Sequence, residues 1–159
     1  MRHIMLLPLL GGLLLVGCDR SGSADSGGEN PAPASSLTEL PLKRGFYVTT
    51  DTACGKASNA TLLLLHAGGM NGARTVCDFE SIEETAPANY RVVAACKDIQ
   101  YGEIERTVYH YEISDSAQFS YRTEDSDFRS GYRYCEQSSL PDPWRDNDIS
   151  DLIGGDAKP

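Results

Sequence analysis

The chain has 159 residues and a formal net charge of −9 at neutral pH, from 14 basic and 23 acidic side chains. That balance argues against nucleic acid and against a broad electrostatic grip on anionic lipid, and it suits a cationic partner. Its 5 cysteines are an odd number, which in an exported protein calls for one cysteine with a separate fate.

The N-terminus opens with Arg2 and His3, followed by an almost unbroken apolar run over residues 4–17 that contains Pro8 and the pair Gly11-Gly12. The run is shorter than the ~20 residues a helix needs to cross a hydrocarbon core. A basic start, a short apolar stretch and a small residue before a cut make a secretory signal. Here the cut falls before a cysteine, and Leu15-Val16-Gly17-Cys18 resembles the lipobox of bacterial lipoproteins. The resemblance implies that the Cys18 thiol receives a diacylglycerol and that residues 1–17 are removed. Cys18 then becomes the mature N-terminus. Two or more acyl chains hold a protein on a membrane stably where one does not. Lipidation also accounts for the odd cysteine and leaves Cys54, Cys77, Cys96 and Cys135 as an even set. Loss of Arg2 with the signal takes the mature charge to −10. Asp19 resembles the inner-membrane retention signal of enteric lipoproteins. The expected location is therefore the cell envelope, facing the periplasm, with Asp19 favouring the inner membrane.

Residues 18–40 are rich in Ser, Gly, Ala and Pro and nearly free of large apolar side chains. Such a segment cannot bury enough surface to offset its ordering entropy and reads as a tether. Residues 41–136 read as one small domain. Short β-like runs alternate with turn signals. They are residues 45–50, 60–65, 73–82, 90–96, 105–113, 118–122 and 128–135. Residues 68–72 (GGMNG) and 85–89 (TAPAN) read as turns between them. The second run contains Leu62-Leu63-Leu64-Leu65, whose continuity predicts burial on both faces. In the fifth run Thr107, Tyr109, Tyr111 and Ile113 share one face. The fold class is all-β: a small antiparallel meander of about seven strands, forming a barrel or sandwich. Residues 137–159 read as an extended acidic tail in which Trp144 packs on the domain.

Strand direction in a meander selects among the three ways of pairing four cysteines. Cys77 and Cys96 lie at nearly equal distances from the turn at Pro87, so they face each other across a hairpin. Cys54 follows the first run and Cys135 ends the seventh, which places both at the same end. The expected disulfides are Cys77–Cys96 and Cys54–Cys135, the second tying the first strand to the last.

No hydrolase, zinc-protease, Walker or dinucleotide motif occurs in the chain. His66 and His110 have no ligand-like spacing. The segment Asp146-Asn147-Asp148-Ile149-Ser150-Asp151 begins like a calcium loop. It lacks the glycine at the sixth position and the closing glutamate. The acids Glu124, Asp125 and Asp127 read as a charged turn. No cofactor or metal is expected. Ser130-Gly131-Tyr132-Arg133-Tyr134 contains SGxxY and resembles a motif of the membrane-bound C-type lysozyme inhibitors, which are small lipid-anchored β-barrels. That resemblance implies an inhibitory surface at Ser130, Tyr132 and Tyr134. The inhibitors' second motif, Trp-x-Lys-Gly, is absent, since Arg145 and Asp146 follow Trp144. The leading expectation is a non-catalytic, lipid-anchored binding or accessory domain whose partners are the membrane, through the lipid, and an envelope protein. Inhibition of a cationic lysozyme or wall hydrolase comes second and an envelope enzyme third.

Overall fold

A computed structural model of the chain describes residues 35–154. Cys18, Asp19 and the signal segment lie outside the described residues, as does most of the tether. Among the described residues no helix is long and apolar enough to cross a membrane.

The β-branched and aromatic runs form antiparallel strands, as pleated, half-buried surfaces favour. They are β1 (Ser35–Leu37), β2 (Gly45–Thr49), β3 (Leu62–His66), β4 (Gly69–Asn71), β5 (Thr75–Ala86), β6 (Asn89–Asp98), β7 (Ile104–Asp115), β8 (Gln118–Thr123) and β9 (Ser130–Tyr134). Strands β2 to β9 pair in chain order as an up-and-down meander. The meander closes when β9 returns to β2, through Tyr47↔Tyr134, Val48↔Arg133 and Thr49↔Tyr132. The result is an eight-stranded antiparallel barrel. Strand β1 is the addition: it pairs with β5 from Ser35↔Glu84 to Leu37↔Ile82, along the stretch of β5 that β4 is too short to reach.

Period-two alternation builds two cores. Inward residues such as Tyr47, Leu63, Leu65, Val92, Tyr111 and Phe119 fill the barrel. Eight strands enclose a space that side chains can fill, and here aromatic rings do most of the filling. Outward residues Phe46, Val48, Leu62 and Leu64 form a second cluster on the wall of β2 and β3. They are covered by Ala57 and by the C-terminal residues Leu140, Trp144, Ile149 and Ile153. The run of four leucines is thus buried on both faces, as its continuity predicts.

The folded body exceeds residues 41–136 at both ends. Residues 35–40 contribute β1, and Leu37, Leu40 and Leu42 pack into the inner core where β2 begins, which seals that end of the barrel. The C-terminal segment is not extended: it folds as short 3-10 turns at Gln137–Ser139 and Trp144–Asp146 and a helical turn at Ser150–Ile153. Trp144 packs on the domain, as expected. The GGMNG segment is a strand flanked by two tight turns, so the barrel has one strand more than the meander read from sequence.

Both disulfides pair as expected. Cys77 and Cys96 are register partners on β5 and β6, with Cα atoms 4.0 Å apart inside the barrel. Cys54 and Cys135 have Cα atoms 5.8 Å apart and span 81 residues. The geometry of this second bond differs from the strand count. With β4 inserted, β9 runs opposite to β2, and Cys135 lies beside the start of β2, its amide donating to the Phe46 carbonyl at 2.9 Å. The loop after β2 folds back along the outer wall to reach it. The disulfide fastens that loop to the barrel, while the β2–β9 ladder performs the closure.

Candidate functional site

One end of the barrel is sealed by Leu37, Leu40 and Leu42. The other is a mouth surrounded by the β4–β5, β6–β7 and β8–β9 turns and the loop after β2. Two adjoining hollows open there. The smaller, about 260 Å3, is lined by Asn59, Leu63, Met70, Thr75, Tyr109, Tyr121 and Tyr132 among others. The larger, about 650 Å3, lies between Thr75, Cys96, Asp98, Tyr101, Glu103, Glu105, Thr107 and Tyr109. Thr75 and Tyr109 line both.

The floor is aromatic. Tyr121 and Tyr132 stack with centroids 5.6 Å apart and planes 4° apart, and Tyr109 meets Tyr121 edge-on at 5.3 Å. Burial, then the neighbouring Tyr132 hydroxyl, pushes the Tyr121 phenol far above its ordinary range, and burial also raises that of Tyr109. These hydroxyls therefore stay protonated and can both donate and accept. The Tyr109 hydroxyl sits 3.4 Å from the Cys96 sulfur.

The rim concentrates what the rest of the surface avoids. Among the described residues, the large hydrophobic side chains left exposed are Val76, Ile99, Tyr101, Ile104, Phe128 and Leu152. All but Leu152 belong to turns or strand ends at the mouth. Phe128 is 77% exposed and Ile104 70%. Exposed carboxylates at Glu103, Glu105, Glu124, Asp125 and Asp127 lie among them. Of the nearby basic groups, Arg74 is already tied to Asp98 at 3.3 Å.

The β6–β7 turn presents its apolar side chains from a fixed backbone. The Asp98 carboxylate accepts from the amides of Gln100 (2.7 Å) and Tyr101 (3.0 Å), an Asx turn. Those two amides first, and then Arg74, hold the Asp98 carboxyl below the usual carboxylate range. Gly102 takes a φ of +73°, a conformation that glycine adopts without penalty. The Ile99 amide donates to the Arg74 carbonyl at 2.9 Å, and the Arg74 guanidinium lies over the Tyr101 ring at 5.8 Å, so the β6–β7 and β4–β5 turns are joined.

The structure distributes Ser130, Tyr132 and Tyr134 along the whole of β9 rather than gathering them into one patch. Half-buried Ser130 pairs with Tyr121 at the mouth end, and Tyr132 is 8% exposed among the core rings. Tyr134 lies toward the sealed end, beneath the Lys43 ammonium at 3.9 Å from its ring centroid. The calcium-like segment serves the tail's own backbone: the Asp148 carboxylate accepts from the Ser150 amide (3.0 Å) and hydroxyl (2.7 Å). Among the described residues no three His, Cys, Asp or Glu side chains gather as a metal site. His66 contacts Asn71 at 3.4 Å, and His110 faces outward on β7. The rim residues Ile99 and Tyr101 lie in a turn and Ile104 at the first position of β7, so none of them belongs to a period that sequence displays. Their signal is large apolar side chains inside a stretch otherwise of Asp, Gln, Gly and Glu.

No protein-family model, curated protein or solved structure matches this chain.

Proposed function

We propose that the protein is a lipid-anchored lipoprotein of the cell envelope, facing the periplasm, that acts by binding a protein partner at the barrel mouth and not by catalysis. The observation that carries this reading is the gathering of Ile99, Tyr101, Ile104 and Phe128 at one end, with carboxylates between them. Aromatic and aliphatic side chains held out on a fixed backbone are the anchors that protein interfaces bury, and leaving them in water has no structural benefit. The surrounding acids select a cationic face on the partner. The described residues begin with β1, at Ser35, toward the sealed end. The anchor itself rests on the Leu15-Val16-Gly17-Cys18 lipobox, and Asp19 favours the inner membrane.

Photo-crosslinking in cells tests the reading. A crosslinking residue at Tyr101 or Phe128 should yield a discrete adduct with a basic envelope protein, and one at Lys43, at the sealed end, should not. Identical adducts from both ends, or none from the mouth, would discard it. Fractionation of the same cells checks the anchor: the Cys18→Ser chain should leave the membrane fraction and lose fatty-acid label.

A second reading, inhibition of a cationic lysozyme or wall hydrolase, is favoured by the acidic rim. An apolar projection ringed by carboxylates suits a substrate cleft on a basic enzyme.

A further inference from the structure

Three basic side chains stand in one cross-strand row on the outer wall. Arg91 of β6 pairs with His110 of β7, and His110 pairs with Arg122 of β8. All three face outward, because their chain neighbours Tyr90, Tyr111 and Tyr121 pack in the barrel. When His110 is protonated the row sets like charges opposite one another on adjacent strands, which destabilises a sheet. A chain of net charge −9 has carboxylates to spare for interleaving. Elsewhere it uses them: Arg44 holds Glu39, Arg74 holds Asp98, Arg106 holds Glu80, Arg129 holds Glu112 and Arg145 holds Asp142. Arg133 donates to the Thr52 carbonyl at 2.6 Å. Among the described residues Arg91 and Arg122 form no ion pair, and Arg122 makes only a long bond to the Thr123 carbonyl at 3.3 Å. Among the described residues three arginines hold no carboxylate: Arg133 is taken up by the Thr52 carbonyl and the Cys54 sulfur, and the other two, Arg91 and Arg122, flank His110.

His110 and Arg122 line a hollow of about 140 Å3 whose walls also include Thr85, Asn89, Glu112 and Arg129, and Arg91 stands beside His110 on the neighbouring strand. Glu112 is the acid in that wall, and Arg129 neutralises it while also donating to the Ser120 hydroxyl at 3.1 Å. Glu83 stands across from Arg91 on β5, and Glu124 follows β8 on the far side of His110.

We propose that Arg91, His110 and Arg122 form a binding site for one tetrahedral oxyanion of the phosphate-ester class. Neighbouring strands lie ~4.8 Å apart, so two guanidinium forks rooted on either side of His110 can close over a single anion. A planar fork matches the spacing of phosphate oxygens, which is why arginine and not lysine suits this position. The imidazole between them supplies a third donor. With no anion bound, burial holds the His110 pKa below its ordinary value, Arg122 and Arg91 push in the same direction, and Glu124 opposes them. A bound dianion reverses the balance and favours the imidazolium.

The test is a histidine-ring NMR titration of the full chain in non-ionic detergent, between about pH 5 and 8. It is run in chloride and in sulfate at matched ionic strength, because sulfate keeps one charge state over that range. Sulfate should move the His110 midpoint upward and leave His66, on β3, in place. Arg91→Gln with Arg122→Gln should abolish the upward move while the thermal unfolding of this surface variant stays close to that of the parent. An unmoved His110 midpoint overturns the site, and so does an equal movement of His110 and His66, which would report screening only. Glycerol phosphate and inorganic phosphate then distinguish a lipid head group from free phosphate as the source. Whichever perturbs the His110 ring at the lower concentration identifies it, and no perturbation by either overturns the assignment to phosphate esters.

Discussion

At the residue scale, Gly69 shows how much one position can decide. A Cβ there would lie 1.9 Å from the Cys77 carbonyl oxygen, on the neighbouring strand β5. No side-chain rearrangement relieves contact with a backbone atom. Gly69→Ala should therefore cost about 3 kcal/mol, at the upper end of what overpacking inflicts. Urea unfolding should show a lower midpoint with an unchanged slope. Gly68→Ala is the control: its Cβ would meet only the His66 ring, at 4.0 Å, and should change stability far less. Equal effects at the two positions would contradict the strand assignment of β4. The sequence presents these residues as Gly-Gly within a turn-like segment. A glycine needed for close approach and a glycine needed for a turn look the same until the partner strand is known. Cys77 and Cys96, by contrast, were legible because their near-symmetry about Pro87 is a property of one hairpin.

At the element scale, the long strands were readable and the short ones were not. β7 announces itself by alternation of Thr107, Tyr109, Tyr111 and Ile113. β4 has three residues and β1 has three, too few to display any period. β1 is held by β5, and β4 by β3 and β5, and neither by its own pattern. The same locality explains the tail. The apolar run of β3 signals a second buried face, but nothing in it names Leu140 and Trp144 as the cover. The loop that shares this covering is pinned twice, by Cys54–Cys135 and by Arg133, whose guanidinium lies 3.1 Å from the Cys54 sulfur and donates to the Thr52 carbonyl at 2.6 Å. For a separation of 81 residues, chain entropy values that disulfide at about 4.5 kcal/mol. Cys54→Ser with Cys135→Ser should lower stability by roughly that amount and open the loop to trypsin at Lys56. A loss below about 1 kcal/mol would mean that Arg133 and the β2–β9 ladder fix the loop unaided.

At the scale of the whole molecule, charge and shape act together. An acidic chain is legible from composition, but which face carries the acids among exposed apolar groups depends on the barrel bringing distant turns to one end. Ile99 and Phe128 come from different hairpins, and the pairing of β7 with β8 brings the two turns to one end. If that rim enters the cleft of a cationic wall hydrolase, long-range attraction should speed association most at low ionic strength, since exposed charges are screened beyond ~8 Å at physiological salt. The full chain in non-ionic detergent should then inhibit a basic C-type lysozyme acting on purified cell wall, with a potency that falls as salt is added. Tyr101→Ser with Phe128→Ser should abolish inhibition at every salt concentration, because it removes the buried anchors. Glu103→Gln with Asp125→Gln should weaken inhibition at low salt and matter little at high salt, because it removes steering alone. Ser130→Arg separates the rim from the SGxxY motif: inhibition lost in that variant but retained without Tyr101 and Phe128 would return the contact to β9. No inhibition by the parent chain at low salt would remove hydrolases from the partners this mouth can serve, and leave a non-enzymatic cationic envelope protein as its target.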